Sequence, residues 1–313
     1  MPTINFDPIQ LTQSLVKCPS ITPKDEGALS IVEQHLSKIG FKCNFLKFSG
    51  NNSYEVNNLF ATIGKNGKHF AYAGHTDVVP VGNESSWTHP PFSGRIEGNK
   101  LYGRGSEDMK SSVACFISAT KRFIDKYKQF DGQISFIITG DEERDSVNGT
   151  PKILEWASKN NFKFNHCLVG EPTSKNEVGD KIKIGRRGAI SFYLEVKGIQ
   201  GHTANAHLAE NAAHHLVKLL NKIIEKPLDK GNKNFLPSSI QIATFDVGNP
   251  AQNIIPELAK ATVNIRFNDM HSSDSLIKWM DNEIINIFKD LDNASCQFSY
   301  DSTAESFLNQ PKY

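Results

Sequence analysis

The first half of the sequence alternates short apolar, β-rich runs with amphipathic helical patterns, and this alternation most restricts the possible folds. The β-rich runs are FKCNFLKF, NNLFATIG, HFAYAG, GQISFIITG and HCLVGE, and helical patterns such as MKSSVACFISATKRFIDKY separate several of them. Strands that are apolar on both faces and alternate with helices are typical of a largely parallel sheet covered by helices. The pattern therefore predicts an α/β domain over residues 1–181.

The pattern changes near VGDKIKIGRRG. From there the predicted elements follow the order β-α-β-β-α-β, which is typical of a ferredoxin-like α+β module with a four-stranded sheet and two helices on one side. We place this second domain at residues 182–300. Residues 301–313 are assigned to the start of a final part of the first domain.

Composition excludes several classes of protein. The net charge is +1 and the Lys and Arg residues are scattered, so no nucleic-acid or membrane surface is indicated. The five cysteines are widely spaced and odd in number, which favours neither a disulfide framework nor a thiolate zinc site. With no export-signal pattern at the amino terminus, the sequence predicts a cytoplasmic protein with reduced thiols.

His75 and Asp77 lie two residues apart at the end of a predicted strand, in YAGHTDVVPVG. Side chains at positions i and i+2 of a strand lie on the same face. Both should therefore project at the carboxyl end of the strand, where open α/β sheets usually carry their ligands.

Several carboxylates occupy similar positions. Asp108 precedes a long helix in LYGRGSEDMKSS, Asp141, Glu142 and Glu143 follow an apolar strand in FIITGDEER, and Glu171 ends another strand in LVGEPTS. Singly, these residues fit a helix N-cap or a solvated turn. Together with a histidine at one sheet edge, they indicate a binuclear hydrolytic metal centre for zinc or cobalt.

The ordered motifs GHTDVVPVG, LYGRGSEDMK, TGDEE, VGEPTS, KIGRRG, VKGIQGHTA and QNIIPE resemble those of the zinc aminoacylase/carboxypeptidase family of metallopeptidases. The resemblance runs from the first helix to about Phe267. It implies a zinc-peptidase-like catalytic domain interrupted by a smaller dimerisation domain, a homodimer, and hydrolysis of an amide in a small-molecule substrate.

Within that family, VGEPTS, GRRG and KGIQGH favour the branch that cleaves N-succinyl-LL-diaminopimelate in lysine and diaminopimelate biosynthesis. Activity on acetylornithine, carboxypeptidase activity, and a non-catalytic family member are the alternatives.

The resemblance also implies roles for the acidic and histidine residues. His75 and Glu171 would hold one zinc, Glu143 the other, and Asp108 would bridge the two. Cobalt could replace zinc in this scheme.

The remaining roles concern catalysis and substrate binding. Asp77 would hydrogen-bond the far nitrogen of His75 and fix its tautomer. Glu142 would be the general base, and His202 of GHTA would reach the partner subunit's site to stabilise the oxyanion. The implied substrate-binding residues are Arg187, Asn253 and Arg266.

The sequence departs from the family pattern at a few positions. Ser111 follows DMK, Ala189 follows GRRG, and Asn205-Ala206 replaces an aromatic-proline pair after GHTA. The family's Gly-rich loop and last histidine ligand have no match before Tyr313. An incomplete second zinc site, with weaker or single-metal binding and reduced or absent activity, is therefore expected unless the native protein continues.

Overall fold

A computed structural model of the protein describes residues 5–50 and 52–309. The chain divides into two compact units, with the division between Lys175 and Asn176. The sequence placed this change of architecture six residues later, between residues 181 and 182. No helix in the described ranges has an apolar stretch long enough to cross a bilayer.

The first unit is built around a five-stranded sheet. Its helices are α1 (Pro8–Val16), α2 (Ala28–Lys38), α3 (Ser111–Lys126) and α4 (Thr150–Lys159). Its strands are β1 (Lys42–Gly50), β2 (Ser53–Lys65), β3 (His69–His75), β4 (Arg95–Glu97), β5 (Lys100–Tyr102), β6 (Gly132–Thr139) and β7 (His166–Val169). The strand order is β1-β2-β6-β3-β7, and β4 pairs with β5 as a separate hairpin. Strands β6, β3 and β7 are parallel, whereas β1 and β2 are antiparallel to their neighbours.

Helices cover both faces of this sheet, as the apolar runs predict. On one face α1, α2 and α3 pack against alternate strand residues such as Leu59, Tyr72 and Phe136. On the other face α4 packs against the intervening residues, including Phe60 and Ile137. The α/β prediction is thus confirmed.

Strand β7 differs from the expectation of a strand buried on both faces. It lies at the edge of the described sheet, and all four of its residues are exposed. Its apolar residues Leu168 and Val169 are therefore not part of the core of this unit.

The second unit has a four-stranded antiparallel sheet in the order β11-β13-β9-β14. Its helices are α5 (Ala212–Ile224) and α6 (Ser273–Phe288). Its strands are β8 (Gly185–Arg186), β9 (Gly188–Lys197), β10 (Gly201–His202), β11 (Ser239–Asp246), β12 (Ile254–Ile255), β13 (Leu258–Phe267), β14 (Ser295–Ala304) and β15 (Phe307–Leu308). Buried residues of β9 and β13, including Phe192 and Val263, pack with apolar residues of both helices in one core. The predicted ferredoxin-like order β9-α5-β11-β13-α6-β14 is confirmed.

The end of the described chain belongs with the second unit. Residues 301–304, which the sequence assigned to the first domain, complete β14. Phe307 and Leu308 then pair with Arg186 and Gly185. Residues 310–313 lie outside the described residues.

Candidate metal centre

Loops at one edge of the first sheet bring five potential metal ligands together. His75 is the last residue of β3, Glu142 and Glu143 follow β6, and Glu171 follows β7. Because these three strands are parallel, their carboxyl ends lie at the same edge. Asp108 reaches this edge from the turn that precedes α3.

His75 lies at the centre of this cluster. Its Nε2 atom is 3.2 Å from Asp108 Oδ1, 3.7 Å from Glu171 Oε1 and 3.9 Å from Glu142 Oε2. The imidazole is buried, whereas the carboxylates around it are partly exposed. The structure therefore gathers acids around one nitrogen atom while leaving the site accessible to solvent.

Two overlapping triplets have the spacing of a metal site. His75, Asp108 and Glu143 form one, and His75, Glu142 and Glu171 form the other. In each triplet the potential donor atoms lie within 4.8 Å of one another. One imidazole nitrogen with several carboxylate oxygens is a donor set that suits zinc and related divalent ions.

The tautomer of His75 is fixed by a backbone group. His75 Nδ1 donates a hydrogen bond to the carbonyl oxygen of Asp77 over 2.9 Å. A carbonyl can only accept, so Nδ1 carries the proton and Nε2 is left to face the acids. The Asp77 carboxylate is 3.6 Å from Nδ1, which is too long for the predicted hydrogen bond between the two side chains.

The Asp77 carboxylate instead holds the loop after β6. It is buried and accepts the backbone N–H groups of Glu142 and Glu143, each at 3.1 Å. Asp77 therefore fixes the position of two of the acidic residues through their main chain.

The third acid of this loop, Asp141, points inward. Its carboxylate is buried and accepts hydrogen bonds from the Tyr54 hydroxyl at 2.5 Å and from the Asn148 N–H at 3.2 Å. Burial, together with the hydrogen bond to Asp141, raises the pKa of Tyr54 to about 12. Sequence reasoning cannot separate this anchoring aspartate from its two neighbours, because all three follow the strand in succession.

Burial and, to a lesser extent, crowding raise the pKa of two carboxylates of this cluster. Burial, with the charges of Asp108 and Glu142, raises the pKa of Glu171 to about 7 despite the opposing effect of His75. Burial and neighbouring acids likewise raise the pKa of Glu143. Burial disfavours protonation of His75, but the surrounding acids outweigh it and raise the pKa of His75. A divalent cation would relieve this repulsion, so the residues present fit a metal.

Metal binding should therefore depend strongly on pH. A metal bound by Glu171 and His75 would require an ionised carboxylate and a neutral imidazole, so protons would have to be displaced below the raised pKa values. Since the pKa of Glu171 is about 7, the apparent zinc affinity should fall as the pH drops from 7.5 to 5.5 and level off above about 8. The expected slope is about tenfold per pH unit for each proton displaced. Chelator competition across this range measures the slope.

Glu171→Gln provides the control for this pH dependence. The amide cannot take up a proton in this range, so its slope should be shallower than that of the unmodified protein, even though its affinity is lower. A zinc affinity that stays constant from pH 5.5 to 8 would contradict the prediction.

A cavity of about 340 Å³ lies beside this cluster, within the size range of small-molecule sites. It is lined by Asp108 and Glu143, and also by Arg104 and Ser106. The first unit thus has space for a small ligand next to the candidate metal ligands.

The remaining predicted site residues lie in the second unit. His202 is on β10, and the side-chain amide of Asn253 is 3.4 Å from its Nε2 atom. Arg187 is partly buried between β8 and β9, and Arg266 is exposed on β13 opposite Ala189. The structure therefore brings His202 and Asn253 together, while the catalytic and binding roles of all four residues stay predictions.

Among the described residues, two histidines on α5 and one near α6 belong to neither candidate triplet. His214 is exposed, and His215 is buried and paired with Glu210. His271 contacts Asp229 Oδ2 at 3.0 Å. These contacts account for His215 and His271 as packing and hydrogen-bonding residues.

Comparison with known proteins identifies the family. Residues 71–290 match the family model described as Peptidase family M20/M25/M40. This span is most of the chain and includes all the residues of the candidate metal centre. The chain belongs to peptidase family M20/M25/M40.

Two curated relatives of this family member are named succinyl-diaminopimelate desuccinylase. The protein from Parvibaculum lavamentivorans is 44% identical over 310 residues, which cover 99% of this chain and 78% of the relative. The protein from Ehrlichia canis is 50% identical over 278 residues, which cover 88% of this chain and 72% of the relative.

The fold also resembles solved members of the M20 family. One is a dinuclear metal-binding peptidase from Bacillus subtilis, with a TM-score of 0.65 and 16% sequence identity. The similarity covers 97% of this chain and 75% of that structure. At this level of identity the comparison supports the fold.

Proposed function

We propose that the protein is a dinuclear zinc amidohydrolase that cleaves N-succinyl-LL-diaminopimelate to succinate and LL-diaminopimelate. The names of the two curated relatives support the substrate. The observation that carries the reaction class is the pair of triplets that share His75. The free Nε2 of His75 can bind one metal ion, and the surrounding carboxylates of the two triplets would hold an adjacent second ion.

We assign the ligands as the resemblance to the family implies. His75 and Glu171 would hold one zinc, Glu143 would hold the other, and Asp108 would be shared by the two. When bound, the metal pair supplies Lewis-acid polarisation of the amide carbonyl and activation of the attacking water.

Glu142 is assigned as the general base. Its main chain is held by Asp77, while its carboxylate is half exposed and lies 3.9 Å from His75 Nε2. It can therefore take a proton from the attacking water and return it to the nitrogen of the leaving amine. The water oxygen becomes part of the succinate carboxylate, and the C–N bond breaks.

The second unit is assigned to substrate recognition and dimerisation. The guanidinium groups of Arg187 and Arg266 suit the carboxylates of the substrate, because the planar fork can bind a carboxylate at two points. Asn253 adds a polar contact, and His202 stabilises the oxyanion in the site of the partner subunit. This last role requires a homodimer.

We further infer that the protein works in the cytoplasm. All five cysteines are free thiols, as expected in a reducing compartment.

A substrate panel tests the proposed function. The zinc-loaded protein should release succinate from N-succinyl-LL-diaminopimelate with a kcat/KM at least about 100-fold above that for N-acetylornithine or for a carboxypeptidase dipeptide. The expected difference arises because sites built to bind polar groups reject analogues that leave those groups unpaired. Preference for N-acetylornithine or for the dipeptide would assign the protein to another branch of the family, and zinc binding without hydrolysis of any of the three would indicate a non-catalytic member.

A further inference from the structure

A segment between α1 and α2, in which alternate residues are buried, runs alongside the loop that carries His75 and Asp77. We call this segment, Cys18–Thr22, the strap. The N–H of Val78 donates to the carbonyl of Ser20 at 2.9 Å, and the N–H of Thr22 donates to the carbonyl of Val78 at 3.2 Å. The strap is therefore hydrogen-bonded to this loop through its backbone.

Side chains of the strap add two further contacts. The Ser20 hydroxyl donates to the carbonyl of Thr76 at 2.6 Å, and the Thr22 hydroxyl donates to the carboxylate of Asp77. Ser20 is fully buried, and Thr22 is only 9% exposed. Buried polar groups of this kind are costly to leave unpaired, so these contacts hold the two segments in one arrangement.

Asp77 also connects Thr22 to the loop that follows β6. The same carboxylate accepts the N–H groups of Glu142 and Glu143, and the carbonyl of Asp77 accepts from His75 Nδ1. One aspartate thus links the Thr22 hydroxyl to three members of the candidate metal centre.

Lys110 links the strap to the segment that carries Asp108. This side chain is fully buried, and its ammonium group donates to the carbonyl of Cys18 at 2.8 Å. Lys110 follows Asp108 by two residues. All three segments that carry His75, Asp108 and the acids after β6 therefore have direct or one-step hydrogen bonds to the strap.

We propose that the strap positions the metal centre, and that the Thr22 hydroxyl is a positioning residue that acts through Asp77. Neither Ser20 nor Thr22 belongs to a candidate ligand triplet. The Thr22 hydroxyl orients the Asp77 carboxylate, which sets the main chain of Glu142 and Glu143. This inference rests on the proposed metal centre. Groups that are not ligands themselves but hold the ligands in position typically contribute about 10–100-fold to metal affinity.

Zinc affinity of Thr22→Val, measured by chelator competition on the full chain, tests the proposal. Valine keeps a similar shape but removes the donor, so the affinity should fall by about tenfold or more. Thr22→Ser retains a hydroxyl and should restore an affinity close to that of the unmodified protein. The visible spectrum of the cobalt-loaded protein should change in Thr22→Val and not in Thr22→Ser, because the ligand geometry is altered only when the hydroxyl is lost.

Thr12→Val is the matched control. Thr12 is another buried threonine of the first unit, and its hydroxyl donates to the carbonyl of Pro8 within α1. It should lower stability slightly and leave the zinc affinity and the cobalt spectrum unchanged. This control separates a positioning effect from a general loss of stability.

The outcomes distinguish this inference from the proposed function. If the unmodified protein binds zinc and Thr22→Val binds it equally well, the positioning role is wrong and the metal centre stands. The role is also wrong if Thr22→Ser loses as much affinity as Thr22→Val. If the unmodified protein binds neither zinc nor cobalt at these residues, the proposed metal centre itself fails.

Discussion

Replacing His75 by alanine should reduce bound zinc to background. His75 is the one member common to both triplets, and its Nε2 atom faces acids from three separate loops. The imidazole is only 1% exposed, and it is the only nitrogen donor in either triplet. The loss of affinity should exceed the about 10–100-fold that a group outside the ligand set contributes, because a direct metal ligand is removed. Elemental analysis after dialysis measures the zinc retained per chain.

Glu143→Ala provides the comparison. Glu143 belongs to one triplet only, and in the proposed assignment His75, Glu171 and Asp108 would still hold the first zinc. This variant should keep more zinc than His75→Ala. Equal losses in the two variants would count against this assignment of ligands.

A histidine elsewhere in the first unit controls for effects of the substitution itself. His89 contacts Glu97 at 3.2 Å, outside both triplets. His89→Ala removes a similar histidine–carboxylate contact and should keep the full zinc content. A far-ultraviolet circular dichroism spectrum should be the same for all three variants if only the site is affected.

The sequence located the candidate metal centre because its residues lie at the ends of strands. A residue that follows an apolar run is visible in one dimension, and the parallel order of the strands brings these ends together. His75, Glu142, Glu143 and Glu171 were all found in this way. Asp108 was found from its position before a long helix.

The hydrogen bonds around those residues were less predictable. The expectation for Asp77 assumed that the strand continues, so that His75 and Asp77 share a face. In the structure β3 ends at His75, and the chain turns so that the Asp77 carbonyl, rather than its carboxylate, accepts from the imidazole. Thr22 was missed because its contact spans 55 residues, and nothing in the local sequence marks a threonine as a partner of a distant carboxylate.

Helix boundaries are likewise harder to predict from the sequence than the presence of a helix. The stretch PKDEGALSIVEQHLSKIG, residues 23–40, has the pattern of a single amphipathic helix, but α2 starts only at Ala28. Before it, the Asp25 side chain accepts from the N–H groups of Gly27 and Leu29 and forms a turn. Periodicity detects the apolar face of a helix, whereas a side chain that competes for the first backbone N–H groups decides where the helix begins.

The second large effect is expected for Glu142→Gln, which should lower kcat by about 10²–10⁴-fold while the zinc content and KM change little. The amide retains the size of the side chain but cannot accept a proton from water. Glu142 and Glu143 are adjacent and both are held by Asp77, so their positions alone do not separate a base from a ligand. The two variants Glu142→Gln and Glu143→Gln should differ, since only the second should lose zinc.

Succinate release and zinc content, measured on the same preparations, decide between these roles. Glu155→Gln is the control, because Glu155 pairs with Lys152 on the surface of α4, away from both triplets. If Glu142→Gln loses zinc as readily as Glu143→Gln, then Glu142 is a ligand, as its place in the second triplet allows. The general base must in that case be another group. If Glu142→Gln instead keeps both zinc and activity, proton transfer does not pass through this residue.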